Sequence, residues 1–457
     1  MVRTMDLFDD AARRAKAYLA SLATRRVGPS PEAIAALDRW NEPMPEHPSD
    51  PAETLKLLDE IGSPATMAIA GPRFYGFVMG GSLPASVAAN WLATAWDQNT
   101  GPEEASPSTS RLERIALGWL LDVLQLPPET GVGYVTGATM ANFTCLAAAR
   151  HAVLAKAGWD VEAKGLAGAP PVQIVVGAEA HPTLIKSLGL LGFGRSTAHV
   201  VPVDGEGRMR ADQFPDLQGP AIVCLQIGNV NTGSFDPVHE LIPRAKQAGA
   251  WVHIDGAFGL WAAAAPTLQP LMRGVADADS WATDAHKWLN VPYDSGLAFV
   301  RDSEALRSAM AVTAAYLPKA ATRQPYDYTP ELSRRGRGVE VWTALRTLGR
   351  SGLAEMLERT CKHARRFAEG LRAGGYEILN EIVLNQVLVS FGDPETTKRV
   401  IAGIQADGTS WCGGTVWQGK TAMRISVSSW ATTDEDVEKS LDAMLRIARE
   451  SRQPQVS

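Results

Sequence analysis

Hydrophobic and polar positions change their rhythm twice along the chain. Residues 5–26 (MDLFDDAARRAKAYLASLATRR) place apolar side chains at three- and four-residue spacing and predict an amphipathic helix, followed by a proline-rich stretch to Pro51. Such an arm wraps a partner subunit or the rest of the chain rather than folding alone. Helical spacing continues from about residue 50 to 128, in ASVAANWLATAW and RLERIALGWLLDVL. The middle third then breaks into short apolar runs: GYVTG (133–137), VQIVV (172–176), HVVPV (199–203), AIVCLQI (221–227), WVHID (251–255), SWAT (280–283) and GLAFV (296–300). Most are apolar on both faces, as expected of strands covered by helices on both sides. After Arg334 helices return (VEVWTALRTL, HARRFAEGLRAGG). Short strands follow around EILN, QVLVSFG and AMRISVS, then a helix at DEDVEKSLDAMLRIARE opened by Thr433 as N-cap. The pattern predicts an α/β protein: an N-terminal helical segment (1–95), a large domain with a seven-stranded, mainly parallel sheet (96–335), and a small α+β C-terminal domain (336–457).

Composition narrows the function classes. Hydrophobic residues make up 45% and charged residues 21%, an ordinary globular balance. The net charge of −6 argues against a nucleic-acid binder. The longest apolar stretch, Gly259 to Met272, is broken by Pro266 and Pro270, so no membrane span is expected. Four cysteines (Cys145, Cys224, Cys361, Cys412) lie far apart with no CxxC pair, which points to neither a zinc site nor a disulfide framework. No metal is expected, and the N-terminus lacks the apolar core of a signal peptide, so the cytoplasm is the expected compartment.

In an open α/β sheet, ligands sit at the carboxyl ends of the strands. The chemistry-bearing residues here follow strands. Asp255 ends WVHID, His286-Lys287 follows SWATDA, His181 follows VQIVV, and Gly137-Ala138-Thr139 follows GYVTG and opens an apolar helix. Each has an ordinary reading: a surface lysine, a turn aspartate, a structural histidine, a well-formed helix start. Together they meet the needs of pyridoxal 5′-phosphate (PLP): a helix N-terminus for a phosphate, a lysine for an aldehyde, a carboxylate for a pyridinium nitrogen and a histidine to stack on the ring.

The segments TGATMANFTCLAAAR, EAHPTLIKSLGLLG, GNVNTGSFDPV, WVHIDGAFG and DSWATDAHKWLNVPYDSG, in that order, resemble the PLP-dependent group II amino-acid decarboxylases, a family that includes the aromatic-amino-acid, glutamate and tyrosine decarboxylases. The resemblance runs from about Pro72 to the TTDEDV segment. It implies PLP fold type I (aspartate-aminotransferase-like) and an obligate homodimer. It casts Lys287 as the Schiff-base lysine, His286 as its neighbour near the phosphate or substrate, Asp255 as the pyridinium partner and Ala257 as the small residue against the ring. His181 becomes the stacking histidine and a proton donor, and Ala138 and Thr139 become phosphate ligands. The GNVNTG loop (228–233) belongs near the ring. Arg424 either meets the substrate carboxylate or braces the small domain. Arg334 and Arg335 resemble a structural element near the dimer interface.

The implied reaction is decarboxylation of an L-amino acid to the amine and CO2, with a mobile-loop tyrosine protonating Cα. Tyr328 is the first choice, with Tyr326 and Tyr316 as alternatives. Phe74, Tyr75, Phe77 and Trp96 resemble the side-chain pocket, which favours an aromatic or bulky substrate, or else they are packing residues. No extra basic residue in these segments announces an acidic substrate. Rival readings are a same-fold lyase, aminotransferase or aldehyde-forming enzyme, and a silent PLP-binding scaffold. One departure stands out: relatives commonly carry Asn-Pro-His-Lys where this chain has Asp284-Ala285-His286-Lys287. An aspartate beside a phosphate repels it, so Asp284 is expected to point elsewhere or to accept hydrogen bonds from a neighbour.

Overall fold

The computed structural model describes residues 2–312 and 323–452 of the chain. Helices α1 (Val2–Ser21), α2 (Pro31–Ala35), α3 (Pro51–Ala65), α4 (Pro84–Trp96) and α5 (Pro107–Val123) precede the first strand. Then come β1 (Gly131–Val135), α6 (Ala138–Lys156), α7 (Val161–Lys164), β2 (Gln173–Gly177), α8 (Pro182–Leu190), β3 (His199–Val201), β4 (Ala221–Gln226) and α9 (Val238–Gln247). The large unit closes with β5 (Trp251–Asp255), β6 (Ser280–Asp284), β7 (Gly296–Val300) and α10 (Ser303–Met310). Helix α11 (Gly338–Ala373) leads to β8 (Glu377–Ile378), β9 (Gln386–Ser390), α12 (Pro394–Asp407), β10 (Gly413–Trp417), β11 (Lys420–Ser426) and α13 (Asp434–Arg452).

All seven apolar runs of the middle third are strands of one sheet, in the order β1-β7-β6-β5-β4-β2-β3. Strands β6, β5, β4, β2 and β3 pair in parallel, and β7 runs against both its neighbours. The runs are apolar throughout because consecutive residues enter two different cores. In β4, Val223 and Leu225 join the core shared with α5, α9 and α11, whereas Ile222 and Cys224 join the core under α6 and α8. Each such buried Val, Leu or Ile contributes roughly 1.5–3 kcal/mol. Helix α6 sits close on the sheet because small residues face it: Ala141, Cys145, Ala148 and Ala149 are fully buried.

The second sheet, β10-β11-β9-β8, is antiparallel and carries α12 and α13. Strand β10 escaped the sequence reading because Gly413-Gly414 looks like a turn, and this edge strand is half exposed. The first helix is also shorter than the 5–26 pattern: it ends at Ser21, whose carbonyl accepts the N–H of Thr24 and of Arg25 and closes a turn. Thr433 does open α13. Its Oγ1 accepts the Asp436 N–H at 3.2 Å while the Asp436 carboxylate accepts the Thr433 N–H at 3.1 Å, a reciprocal cap. Helix α11 bends at Gly349, where φ is 60°.

Candidate active site

The carboxyl ends of β1, β2, β5 and β6 open onto one cavity of about 250 Å³. Ala138, Thr139, His181, Asp255, Ala257, His286 and Lys287 all line it, together with Gly137, Thr183, Gln226, Gly228, Val230, Phe258 and Asp284.

Asp255 is 3% exposed and meets neutral donors. Its Oδ2 accepts from Asn142 Nδ2 at 3.1 Å and its Oδ1 from the Ala257 N–H at 3.2 Å. Burial pushes its carboxyl above the ordinary range, opposed by nearby His181 and Lys287 and by the Asn142 hydrogen bond. A polar chain stands behind it. Burial drives His253 down to about 3, so the ring is neutral. His253 Nε2 donates to Asn142 Oδ1 at 2.8 Å, and its Nδ1 pairs with Ser280 Oγ at 2.9 Å. Trp251 Nε1 in turn donates to Ser280 Oγ at 2.9 Å. This chain fixes which end of the Asn142 amide faces the carboxylate.

Asp284 meets charge instead. Its Oδ2 is 3.0 Å from Lys287 Nζ, and its Oδ1 accepts the Ala138 N–H, the first of α6, at 2.5 Å. His286 Nε2 lies 3.5 Å from the same Oδ1. The Ser295 N–H donates to His286 Nδ1 at 3.1 Å, which leaves the proton on Nε2 of the neutral ring. Burial lowers the pKa of His286, and the ring stacks on Tyr293 at 4.1 Å. Glycine is required at two contacts here. A side chain at Gly296, opposite Asp284 in the β6–β7 pair, would strike the backbone of Gly137, and one at Gly80 would strike the carbonyl of Lys287.

His181 caps α8: its Nδ1 accepts the Thr183 N–H at 3.3 Å and lies 2.7 Å from Thr183 Oγ1. Burial lowers its pKa, so the neutral ring carries its proton on Nε2. The GNVNTG loop reaches the cavity through Gly228 and Val230, but Asn229 holds the loop itself and Asn231 Oδ1 accepts from Thr415 Oγ1 of β10 at 3.1 Å. Asn229 Oδ1 accepts the N–H groups of Asn231 and Thr232.

Other expected site residues sit elsewhere in this chain. Phe74 is buried and stacks on Trp411 at 5.2 Å. Tyr75 lies in the small-domain core, with its hydroxyl 3.1 Å from Ser440 Oγ. Trp96 is exposed at the end of α4. Tyr328 is buried in the core beneath α6, with the Arg323 guanidinium 4.1 Å over its ring. Packing takes up the aromatic surfaces of Phe74, Tyr75 and Tyr328. Tyr326 is buried too, and Tyr316 lies outside the described residues. Arg424, in β11, does not line the cavity, although its charge bears on His181. Arg334 makes a buried two-pronged ion pair with Glu113 at 2.6 and 2.7 Å. Sequence reasoning overlooked Asn142, whose signal was a polar residue inside the apolar run MANFTCLAAAR, fully buried in α6.

A buried carboxylate, an amine, neutral imidazoles and a helix N-terminus around one cavity are a donor set that fits PLP. Among relatives, Tryptophan decarboxylase 1 of Oryza sativa subsp. japonica is 27% identical over 418 residues, 82% of this chain and 80% of its own length. The 4-hydroxyphenylacetaldehyde synthase of Rhodiola rosea is 25% identical over 467 residues, 96% of this chain and 93% of its own. The fold matches a crystal structure of Oryza sativa TDC with PLP and tryptamine at a TM-score of 0.91, with 22% identity and 98% of each chain covered. The family model described as the pyridoxal-dependent decarboxylase conserved domain matches residues 37–392, and the chain therefore belongs to the pyridoxal-dependent group II decarboxylases, PLP-dependent carboxy-lyases.

Proposed function

We propose that the enzyme removes the α-carboxylate of an L-amino acid with an aromatic or bulky side chain, giving the amine and CO2. The observation that carries this reading is the convergence of Lys287, Asp255 and His181 on one cavity at the strand ends. The substrate class rests on relatives named for tryptophan and 4-hydroxyphenyl chemistry. Bound here, PLP supplies an aldehyde for amino groups and a ring that takes up the electron pair released when the carboxylate leaves.

The chain's residues then have defined tasks. Lys287 Nζ is the amine that holds the aldehyde and returns to free the product. Asp255, ionised and held by Asn142 and the Ala257 N–H, keeps a proton on the pyridine nitrogen. His181, at the cavity wall, would cover the ring, and its Nε2–H would be a proton available for transfer there. Ala138 and Thr139 bind phosphate at the α6 N-terminus, assisted by His286. Ala257 gives the ring close approach. Arg424 binds the substrate carboxylate or braces the small domain.

The enzyme works as a homodimer in this reading. Phe8, Leu58, Trp91, Leu92 and Trp96 are exposed on α1, α3 and α4, and an apolar groove of about 720 Å³ runs between these helices. Apolar surface of this extent favours a second copy of the chain as its cover. The residue ranges 1–95, 96–335 and 336–457 remain the working division of the chain. Four free, buried cysteines suit a cytoplasmic enzyme.

A second reading, aldehyde formation, is favoured by the burial of Tyr328 away from the cavity and by the aldehyde-synthase relative. PLP-loaded protein incubated with a panel of L-amino acids, with products resolved by mass spectrometry, separates the two. An amine from an aromatic substrate supports decarboxylation to the amine. Aldehyde or keto acid without amine overturns it.

A further inference from the structure

We propose that Asp284 is a resident counter-anion at the N-terminus of α6, one that competes with the cofactor phosphate and sets how tightly the enzyme holds PLP. The proposal rests on the reading above that the phosphate sits at Ala138 and Thr139.

Three observations carry it. Asp284 occupies the positive end of α6, with the Ala138 N–H donating to Oδ1 at 2.5 Å and Gly137 as a helix cap that offers no side chain of its own. Its other oxygen is 3.0 Å from Lys287 Nζ. The carboxylate also has little room to leave. Its side chain is 3% exposed, its N–H donates to the Ala257 carbonyl at 2.9 Å, and its own carbonyl accepts from Trp261 Nε1 at 2.9 Å. A phosphate arriving at the same N–H groups meets a fixed negative charge a few ångströms away in a water-poor site.

Joining Lys287 to the cofactor aldehyde removes its ammonium from Asp284 as a free partner, so the repulsion falls on the loaded state. Besides the Ala138 N–H, His286 is the remaining side chain with a proton within reach, its Nε2 lying 3.5 Å from Oδ1. An asparagine at this position keeps the acceptor for the Ala138 N–H and drops the charge. Asp284 is therefore a positioning residue whose charge lowers cofactor affinity and whose ion pair keeps Lys287 ordered before loading.

The test measures dissociation constants of PLP and of pyridoxal, which lacks the phosphate, on cofactor-free protein by equilibrium dialysis. Asp284→Asn is expected to tighten PLP by about tenfold or more and to leave pyridoxal within about twofold, since only the phosphate senses the carboxylate. Unchanged or weaker PLP binding, or equal shifts for both ligands, overturns the proposal. The pyridoxal ratio separates phosphate repulsion from any change in Lys287 reactivity, which moves both ligands alike. Asp284→Ser carries the same test if the asparagine variant does not fold. Thr139→Val reports on the underlying reading. It should shrink the preference for PLP over pyridoxal, and an unchanged preference would mean that the phosphate lies elsewhere, which removes the basis of the proposal as well.

Discussion

Two aspartates end neighbouring parallel strands, β5 and β6, at nearly equal burial, yet their surroundings are opposite in kind. Asp255 is met by an amide and a backbone N–H, and the nearest groups behind it form a neutral chain through Asn142, His253 and Ser280. Asp284 is met by an ammonium and the first N–H of a helix. Neutral donors support an ionised carboxylate without neutralising it, so Asp255 stays available to a cation that arrives with the ligand. Asp284 has already spent its charge on Lys287. The same residue type at the same place in the strand acquires its role from the sign of its neighbours.

Removing the charge at Asp255 should do the greatest harm. Asp255→Ala would leave the cation brought in by PLP without its buried anionic partner, a loss of about 3–5 kcal/mol, so kcat/KM should fall roughly 10²- to 10⁴-fold. Steady-state kinetics of the PLP-loaded variant would check this, and an equal fall in Asp284→Asn would erase the contrast between the two strand ends.

The neutral chain can be probed through pH. His253 titrates near 6.5 in the unfolded chain and at about 3 when folded, so between those values the unfolded state holds more protons. Stability from this residue is complete above pH 6.5 and is lost as pH falls, with a slope of about 1.4 kcal/mol per pH unit. His253→Gln can still donate to Asn142 but has no proton to gain. Urea titrations across this range should therefore show a shallower acid loss in the variant. Parallel curves for the two proteins would mean that the folded histidine is charged.

The smallest effect is expected at a residue that does not line the cavity. Tyr328→Phe removes a hydroxyl from a packed ring and should change both stability and amine yield little, within about 0.5 kcal/mol. A product switch from amine to aldehyde in this variant would place Tyr328 at the substrate after all.

The main strands, and the strand-end residues that come together around one cavity, were legible because each depends on local pattern: a run apolar on both faces, or a chemistry-bearing residue just beyond it. Asn142 was not, because its partner Asp255 lies 113 residues downstream and only the fold brings them together. The placement of the aromatics was not legible for another reason. Phe74, Tyr75 and Tyr328 fill a core as well as they line a pocket, and their composition does not say which. Strand β10, with its paired glycines, was hidden by a turn-like sequence at an exposed edge.

Helix α11 has a practical consequence. Val341, Ala344, Leu345, Leu353 and Leu357 belong to the core of the large sheet, while Ala364, Phe367 and Leu371 belong to that of the small sheet. A gene fragment stopped near residue 335 would thus encode a sheet missing one wall of its own interior, and a fragment begun there would expose a greasy shaft to water. The two lobes share a spine and have to be inherited, expressed and unfolded together.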